Sequence, residues 1–279
     1  MARYGIVCDV SKCDGCYSCF LSCKDEHVGV DHLPIAAAQA EKQAWLRLKE
    51  VEYGTGTKIK VDYIPIMCQH CANPACAKGG PEGAVYKRDD GVVIIDPEKA
   101  KGAKEIVNAC PYNAVFWNEE LQVPQKCTMC INRIEAGEKV PRCVECCPTG
   151  AMVFGDLDDP DSEISKLVKE KEDKLEKLHG EFKTAPTVSY IRLPKPFVAG
   201  DVYFVDTDEC AIDVPVILKD LETGEIRKGK TSYLGCLEFR DVVENREYEL
   251  LIKAEGYKEY QARFLVKGGK NFGEIGLER

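Results

Sequence analysis

The chain has no run of apolar residues approaching the roughly 20 needed to cross a bilayer, so no direct membrane span is expected. It also lacks a basic excess. Its 38 Lys and Arg stand against 47 Asp and Glu, a net charge of −9 that argues against nucleic acid as a partner. The opening MARYGIVCDVSKC leaves little space for a charged and apolar leader before the first cysteine loop, so no secretory signal is expected and a reducing, cytoplasmic setting is. Export would need a partner's signal. A length of 279 residues fits two or three domains.

Cysteine is what the chain has in excess, 16 in all. Cys13, Cys16, Cys19 and Cys23 form C-x2-C-x2-C-x3-C, and Cys68, Cys71 and Cys76 form C-x2-C-x4-C. Cys110 stands alone before Pro111. Cys127, Cys130, Cys143 and Cys147 form C-x2-C-x12-C-x3-C before Pro148. Iron–sulfur cubanes need this spacing: three thiolates come from one tight loop, and the fourth, often followed by Pro, ligates a different cluster. Zinc is the competing use of paired C-x2-C elements, but it does not account for the first motif or for the Cys-Pro endings. A disulfide framework suits short secreted chains and not this one.

The pattern has a gap. Residues 9–23, DVSKCDGCYSCFLSC, align with residues 96–110, DPEKAKGAKEIVNAC. Asp9 matches Asp96, Lys12 matches Lys99, Gly15 matches Gly102 and Cys23 matches Cys110, while three cysteine positions hold Ala100, Ala103 and Ile106. Cys110 leads into PYNAVF and Cys147 into PTGAMVF. The similar PEGAVY at 81–86 follows Gly80, which therefore fills a fourth-ligand slot. Ferredoxin-type loops exchange their fourth cysteines in pairs. The expected ligand sets are Cys13/Cys16/Cys19/Cys147, Cys127/Cys130/Cys143/Cys23 and Cys68/Cys71/Cys76/Cys110. The fourth set, Ala100/Ala103/Ile106/Gly80, contains no thiol. Three 4Fe–4S clusters and one site erased as a unit are expected.

The expected fold class is α+β: tandem bacterial-ferredoxin-like domains over residues 1–155, a helical linker over 156–185, and an antiparallel β-sandwich over 186–279. Tyr4–Cys8 and Val92–Ile95 read as strands, and Asp89-Asp90-Gly91 as a hairpin turn. Residues 28–66 form an insertion whose AAAQAEKQAWLRLKEVE stretch predicts helix, with Trp45 as a packing anchor. DPDSEISKLVKEKEDKLEKLHG predicts a capped helix through Ile164, Leu167, Val168, Leu175 and Leu178, stopping at Gly180. Beyond 186, GDVYFVD, DVPVILKD, CLEFRDV, YELLIKAE and YQARFLV read as strands of a sandwich. No nucleophile–base arrangement occurs there, so docking is the better role.

KCTMCINRIEAGEKVPRCVECCPTGA (126–151), in spacing and flanks, resembles the last motif of the four-cluster iron–sulfur subunits of the dimethyl sulfoxide reductase family. The gap at Gly80, Ala100, Ala103 and Ile106, with the added C-terminal domain, makes the chain similar to the small subunits of the pyrogallol–phloroglucinol transhydroxylases. CKDEH (23–27), AVYKRDDGVVIIDPEKAKG (84–102), ACPYNAVFWNEE (109–120) and QKCTMC (125–130) carry that likeness. The terminal domain is similar to transthyretin-like sandwiches. The resemblance implies a non-catalytic, electron-transfer subunit. Its partner would be a large subunit holding molybdenum or tungsten on two pterin guanine dinucleotides, which hydroxylates, dehydroxylates or transhydroxylates polyhydroxylated aromatics. The alternatives are the same role in a formate or sulfur-compound molybdoenzyme, and a free-standing polyferredoxin.

Backbone amides of the loops, and Lys126 beside Cys127, are candidate tuners of cluster potential; an ordinary surface lysine is the competing reading. Cys8 reads as a small buried hydrophobe. The x3 spacing and Pro148 favour Cys147 over Cys146 as a ligand. Cys210 and Cys236 are expected as free thiols, and His27 and His70 as hydrogen-bonding or packing residues.

Overall fold

A computed structural model of the protein describes residues 2–55 and 58–279. The chain forms two units: residues 1–50 with 62–193, and residues 51–61 with 194–279.

The first unit is built on a sheet of Met152–Asp156, Tyr4–Asp9, Val188–Ile191 and Leu175–Glu176, in that order. Tyr4–Asp9 lies inside it, antiparallel to Met152–Asp156 and parallel to Val188–Ile191. Its run Gly5-Ile6-Val7-Cys8 is buried without alternation, as expected of a strand covered on both faces. At its end the Asp9 carboxylate accepts from the Ser11 amide at 3.1 Å and turns the chain into the first cysteine loop. The matched Asp96 accepts from the Glu98 and Lys99 amides at 3.0 and 3.1 Å. The internal repeat is thus visible in capping as well as in sequence.

Two short hairpins flank the second half of this unit, Val85–Lys87 with Val93–Ile95 and Phe116–Asn118 with Val123–Gln125. The Asp89-Asp90-Gly91 turn forms as expected: Gly91 takes φ +84° and its amide bonds back to Arg88 O at 3.0 Å. The strand predicted to begin at Val92 begins at Val93.

Three expectations need correcting. The insertion is not helical. Arg47–Thr55 and Lys58–Ile66 form a two-stranded sheet. Leu46-Arg47-Leu48-Lys49 already alternates with period two, and that pattern prevails over the helix-favouring composition before it. The linker helix is shorter than predicted. It spans Glu163–Glu170, capped by Ser162, whose hydroxyl accepts from the Ser165 amide at 3.1 Å. Ile164 anchors it against Val7 and Ile191. Leu175–Glu176 then leaves helical geometry to pair with Tyr190–Ile191, where Leu175 packs partly buried against the Val7, Ile164 and Ile191 cluster. Val188–Ile191 also belongs to the first unit, so the C-terminal part of the second begins at Pro194 and not at 186.

The second unit has two sheets. One pairs Val198–Phe204 with Glu209–Cys210, Cys236–Phe239 and Lys270–Leu277; the other runs Ile226–Lys230, Pro215–Asp220, Glu247–Ile252, Tyr260–Leu265. Alternating residues of both, among them Val198, Val202, Val216, Leu218, Leu237, Leu250, Ile252 and Ile275, share one hydrophobic core. The pairing is not wholly antiparallel as expected. Lys270–Leu277 runs parallel to Val198–Phe204.

Candidate iron–sulfur centres

Helix Ser18–His27 sets the geometry. Cys19, Cys23 and His27 recur every four residues and so share one buried face. Cys19 turns to the first thiol group and Cys23, one turn on, to the second.

The first group is Cys13, Cys16, Cys19 and Cys147. All four line one pocket, together with Tyr17, Leu48, Pro65, Pro148 and Met152. Cys147 lines it, whereas Cys146 sits against Arg142. The second group is Cys23, Cys127, Cys130 and Cys143. Burial pushes all four thiols up, Cys127 to about 11 and Cys130 to about 12. Cys23, Cys130 and Cys143 are pushed further by charge on others of the set. For Cys127 that charge comes from outside the set, from Cys68. The third group is Cys68, Cys71, Cys76 and Cys110. Burial raises Cys71, Cys76 and Cys110, Cys76 to about 12, with Cys68 the shared neighbour. These are the sets drawn from the internal alignment.

The groups follow one another in space. Cys19 of the first acts on Cys23 and Cys143 of the second, and Cys68 of the third acts on Cys127 of the second. The second group is therefore the middle one.

The donor set fits a cluster better than it fits bare thiols. Buried thiols with raised pKa values are neutral at pH 7, while an iron ligand must be a thiolate, so binding of iron would release protons. Backbone amides offset part of that burial. Backbone N–H groups reach the sulfurs of Cys127 (from Met129, 3.4 Å) and Cys68 (from His70, 3.5 Å). Gly15 N–H serves Cys13, Phe20 serves Cys19, Leu46 serves Cys23 and Arg142 serves Cys130. The loops aim these amides inward by placing residues in the left-handed region: Gly15, Tyr17, His70, Met129 and Cys130 all have φ between +44° and +74°. Successive amides then form an anion-binding concavity. Gly15 is doubly required, since a Cβ there would lie 2.7 Å from the Tyr63 ring.

The gap in the pattern is filled with protein. Ala100 and Ile106 are fully buried and Ala103 nearly so. A Cβ placed on Gly80 would lie 2.6 Å from Ile106 Cδ1. The four positions of the missing set include a close contact, and the Ile106 side chain occupies the space beside Gly80.

Three residues outside the ligand sets matter more than their sequence context suggested. Lys126 is not a surface lysine. It is 3% exposed, with its ammonium on the carbonyls of Val93 and Cys127. His70 is fully buried; its Nδ1 accepts from the Val93 amide at 3.0 Å, and burial, then Lys126, holds its pKa well below the usual histidine value. His27 packs on Trp45 at 4.9 Å between ring centroids, and Trp45 donates to Gln43 Oε1 at 2.9 Å, so Trp45 is the expected anchor. Cys8 is the buried strand residue expected. Cys210, Cys236 and the remaining cysteines carry no disulfide. Among the described residues no helix is long and apolar enough to cross a membrane.

Residues 59–157 match the 4Fe–4S dicluster domain family. The chain is 36% identical over 262 residues to the pyrogallol hydroxytransferase small subunit of Pelobacter acidigallici, covering 92% of each chain. It is 35% identical to a tetrathionate reductase subunit of Salmonella typhimurium, over 70% of this chain and 75% of that one. It is 37% identical to an iron–sulfur subunit of a dimethyl sulfoxide reductase, named as putative, of Halobacterium salinarum, over 68% and 79%.

Proposed function

The chain belongs to the iron–sulfur electron-transfer subunits of molybdoenzymes, and we propose that within that family it carries three 4Fe–4S clusters and serves a large subunit acting on polyhydroxylated aromatics of the pyrogallol type. Cys13, Cys16, Cys19 and Cys147 would hold the first cluster, Cys23, Cys127, Cys130 and Cys143 the second, and Cys68, Cys71, Cys76 and Cys110 the third. When bound, each would take up and return one electron. The observation that carries the count is the pairing of three gathered thiol groups with a fourth position occupied by Ile106.

The chain's own part is to hold the thiolates in a row, shield them from water and place amides and cations around them. Molybdenum or tungsten on two pterin guanine dinucleotides would belong to the large subunit and not to this chain, in a heterodimer or a higher assembly of heterodimers. The aromatic assignment rests on likeness over 92% of the chain, which extends into the second unit. The tetrathionate and dimethyl sulfoxide relatives match about two thirds of it. Sixteen cysteines with no disulfide among them fit a reducing compartment, and we place the complex in the cytoplasm.

Anaerobic native purification tests this reading, with iron, molybdenum and tungsten assayed on whatever accompanies the chain. About twelve irons per chain, four for each cluster, with molybdenum or tungsten on a large copurifying subunit active on pyrogallol, is the expected result. Twelve irons on a lone chain would make it a free carrier. A large partner active on formate or sulfur oxyanions and inert to pyrogallol would overturn the aromatic assignment.

A further inference from the structure

We propose that Lys126 is a standing cation between the second and third thiol groups, and that it raises the reduction potentials of the two clusters they hold while leaving the first unaffected. The inference rests on the three-cluster reading above.

Burial of a lysine head group is costly and rare unless its charge is used. Both acceptors of the Lys126 ammonium are backbone carbonyls, those of Val93 and of Cys127 at 3.1 Å for the latter, and neither is a carboxylate. Carbonyls satisfy the N–H donors and leave the net charge in place.

The position is shared between two groups. Cys127, the next residue, belongs to the second. Val93, whose carbonyl receives the ammonium, sends its own amide to His70 at 3.0 Å, and His70 lies in the Cys68–Cys71 loop of the third. One strand residue therefore joins Lys126 to the far loop. Among the described residues the hydrogen bonds of the ammonium run to Cys127 itself and to Val93, the strand residue bonded to His70, and to no residue of the Cys13–Cys19 loop.

One-electron reduction of a cluster adds a negative charge, and a fixed cation nearby in a low-dielectric setting favours the reduced form. Lys126 acts here as a positioning charge and touches no substrate. Its selectivity is the distinctive part, because a lysine that merely braced the loops would not sort the clusters into two affected and one unaffected.

The test is a potentiometric titration of the anaerobically purified complex, followed by electron paramagnetic resonance, for the wild type, K126Q, K126M and K126R. In both neutral variants two of three signals are expected to titrate lower. Their reduction equilibria should weaken by on the order of tenfold, about 59 mV for a one-electron couple. The third signal should stay in place and K126R should resemble the wild type. Unchanged potentials, or a uniform shift of all three, would overturn the proposal. So would loss of iron from K126Q and K126M but not from K126R, which would make the residue an assembly determinant. A wild-type iron content far from twelve sinks the three-cluster reading separately, whatever the variants do.

Discussion

His27 Nε2 lies 3.4 Å from Cys130 Sγ, at the end of the helix face that also carries Cys19 and Cys23. Burial, with His32 adding to it, pushes the His27 imidazole down to about 3, so the ring is neutral at physiological pH. Against a Cys130 thiolate bound to iron, its Nε2 would carry the proton and donate it.

Replacing His27 by Phe keeps a ring against Trp45 and removes that donor. One cluster of the three, the one assigned to Cys23, Cys127, Cys130 and Cys143, should then titrate at a lower potential. Hydrogen bonds to the ligand sulfur stabilise the reduced form. Redox titration with spectral resolution of the three clusters checks this, and a shift in a different cluster would mean that the contact does not act on the second group.

Gly80 and Ile106 should be energetically coupled. G80A drives a methyl group into the Ile106 side chain, and overpacking of this kind costs about 1–3 kcal/mol. I106A opens a cavity and also destabilises. The double variant should be less destabilised than the sum of the two, because the new methyl enters the space that Ile106 vacates. Thermal midpoints of the four proteins, measured anaerobically with iron in place, complete the cycle. Additivity would show that the two positions are not in contact.

Gly15 cannot take a side chain without disturbing the first loop. Its φ of +74° is unfavourable for L-residues, and a Cβ would strike the Tyr63 ring. G15A should lose iron from the first group while the second and third keep theirs, leaving about eight irons per chain, two clusters of four. Iron assay of the purified variant reads the outcome directly. Retention of all the iron would show that the loop tolerates the strain.

Asp220 gives the second unit an acid-sensitive contact. Burial alone would raise its pKa. The amides of Thr223 and Glu222, at 3.0 and 2.9 Å, and the Arg246 guanidinium at 3.0 Å outweigh burial and hold the carboxyl below its ordinary value. The folded state thus binds this proton less readily than the unfolded chain. The stabilisation is complete above the unfolded carboxyl value of about 3.9 and is lost as pH falls through the lower folded value. D220N should cost about 1–3 kcal/mol at neutral pH, the scale of hydrogen bonds to a charged group. The gap between variant and wild type should narrow below about pH 4. Unfolding followed by circular dichroism across that range checks both the size and the sign.

Legibility varied with the range of the interaction. The cysteine loops could be read because three thiols of each set come from a short stretch, and cluster chemistry demands that spacing. The Asp9 and Asp96 caps, the Gly91 turn and the strand through Ile6 and Val7 are equally local. The insertion could not be read from composition. AAAQAEKQ favours helix, yet the chain from Arg47 onward forms an extended strand. Leu175 shows the same conflict: helical spacing placed it on the linker helix, and the sheet edge beside Ile191 claimed it.

By itself the sequence identified the family of iron–sulfur subunits and supplied the cysteine sets, and the thiol-free fourth set, on which the proposed clusters rest. Each follows from residue identity and spacing along a few turns of chain. Tertiary structure alone decided the order of the three thiol groups, the filling of the Gly80 space by Ile106 and the burial of Lys126 between two groups. The physical reason is that these depend on residues far apart in the chain: Cys19 with Cys143, Gly80 with Ile106, and Lys126 with Val93. No spacing rule relates such pairs until packing brings them into contact.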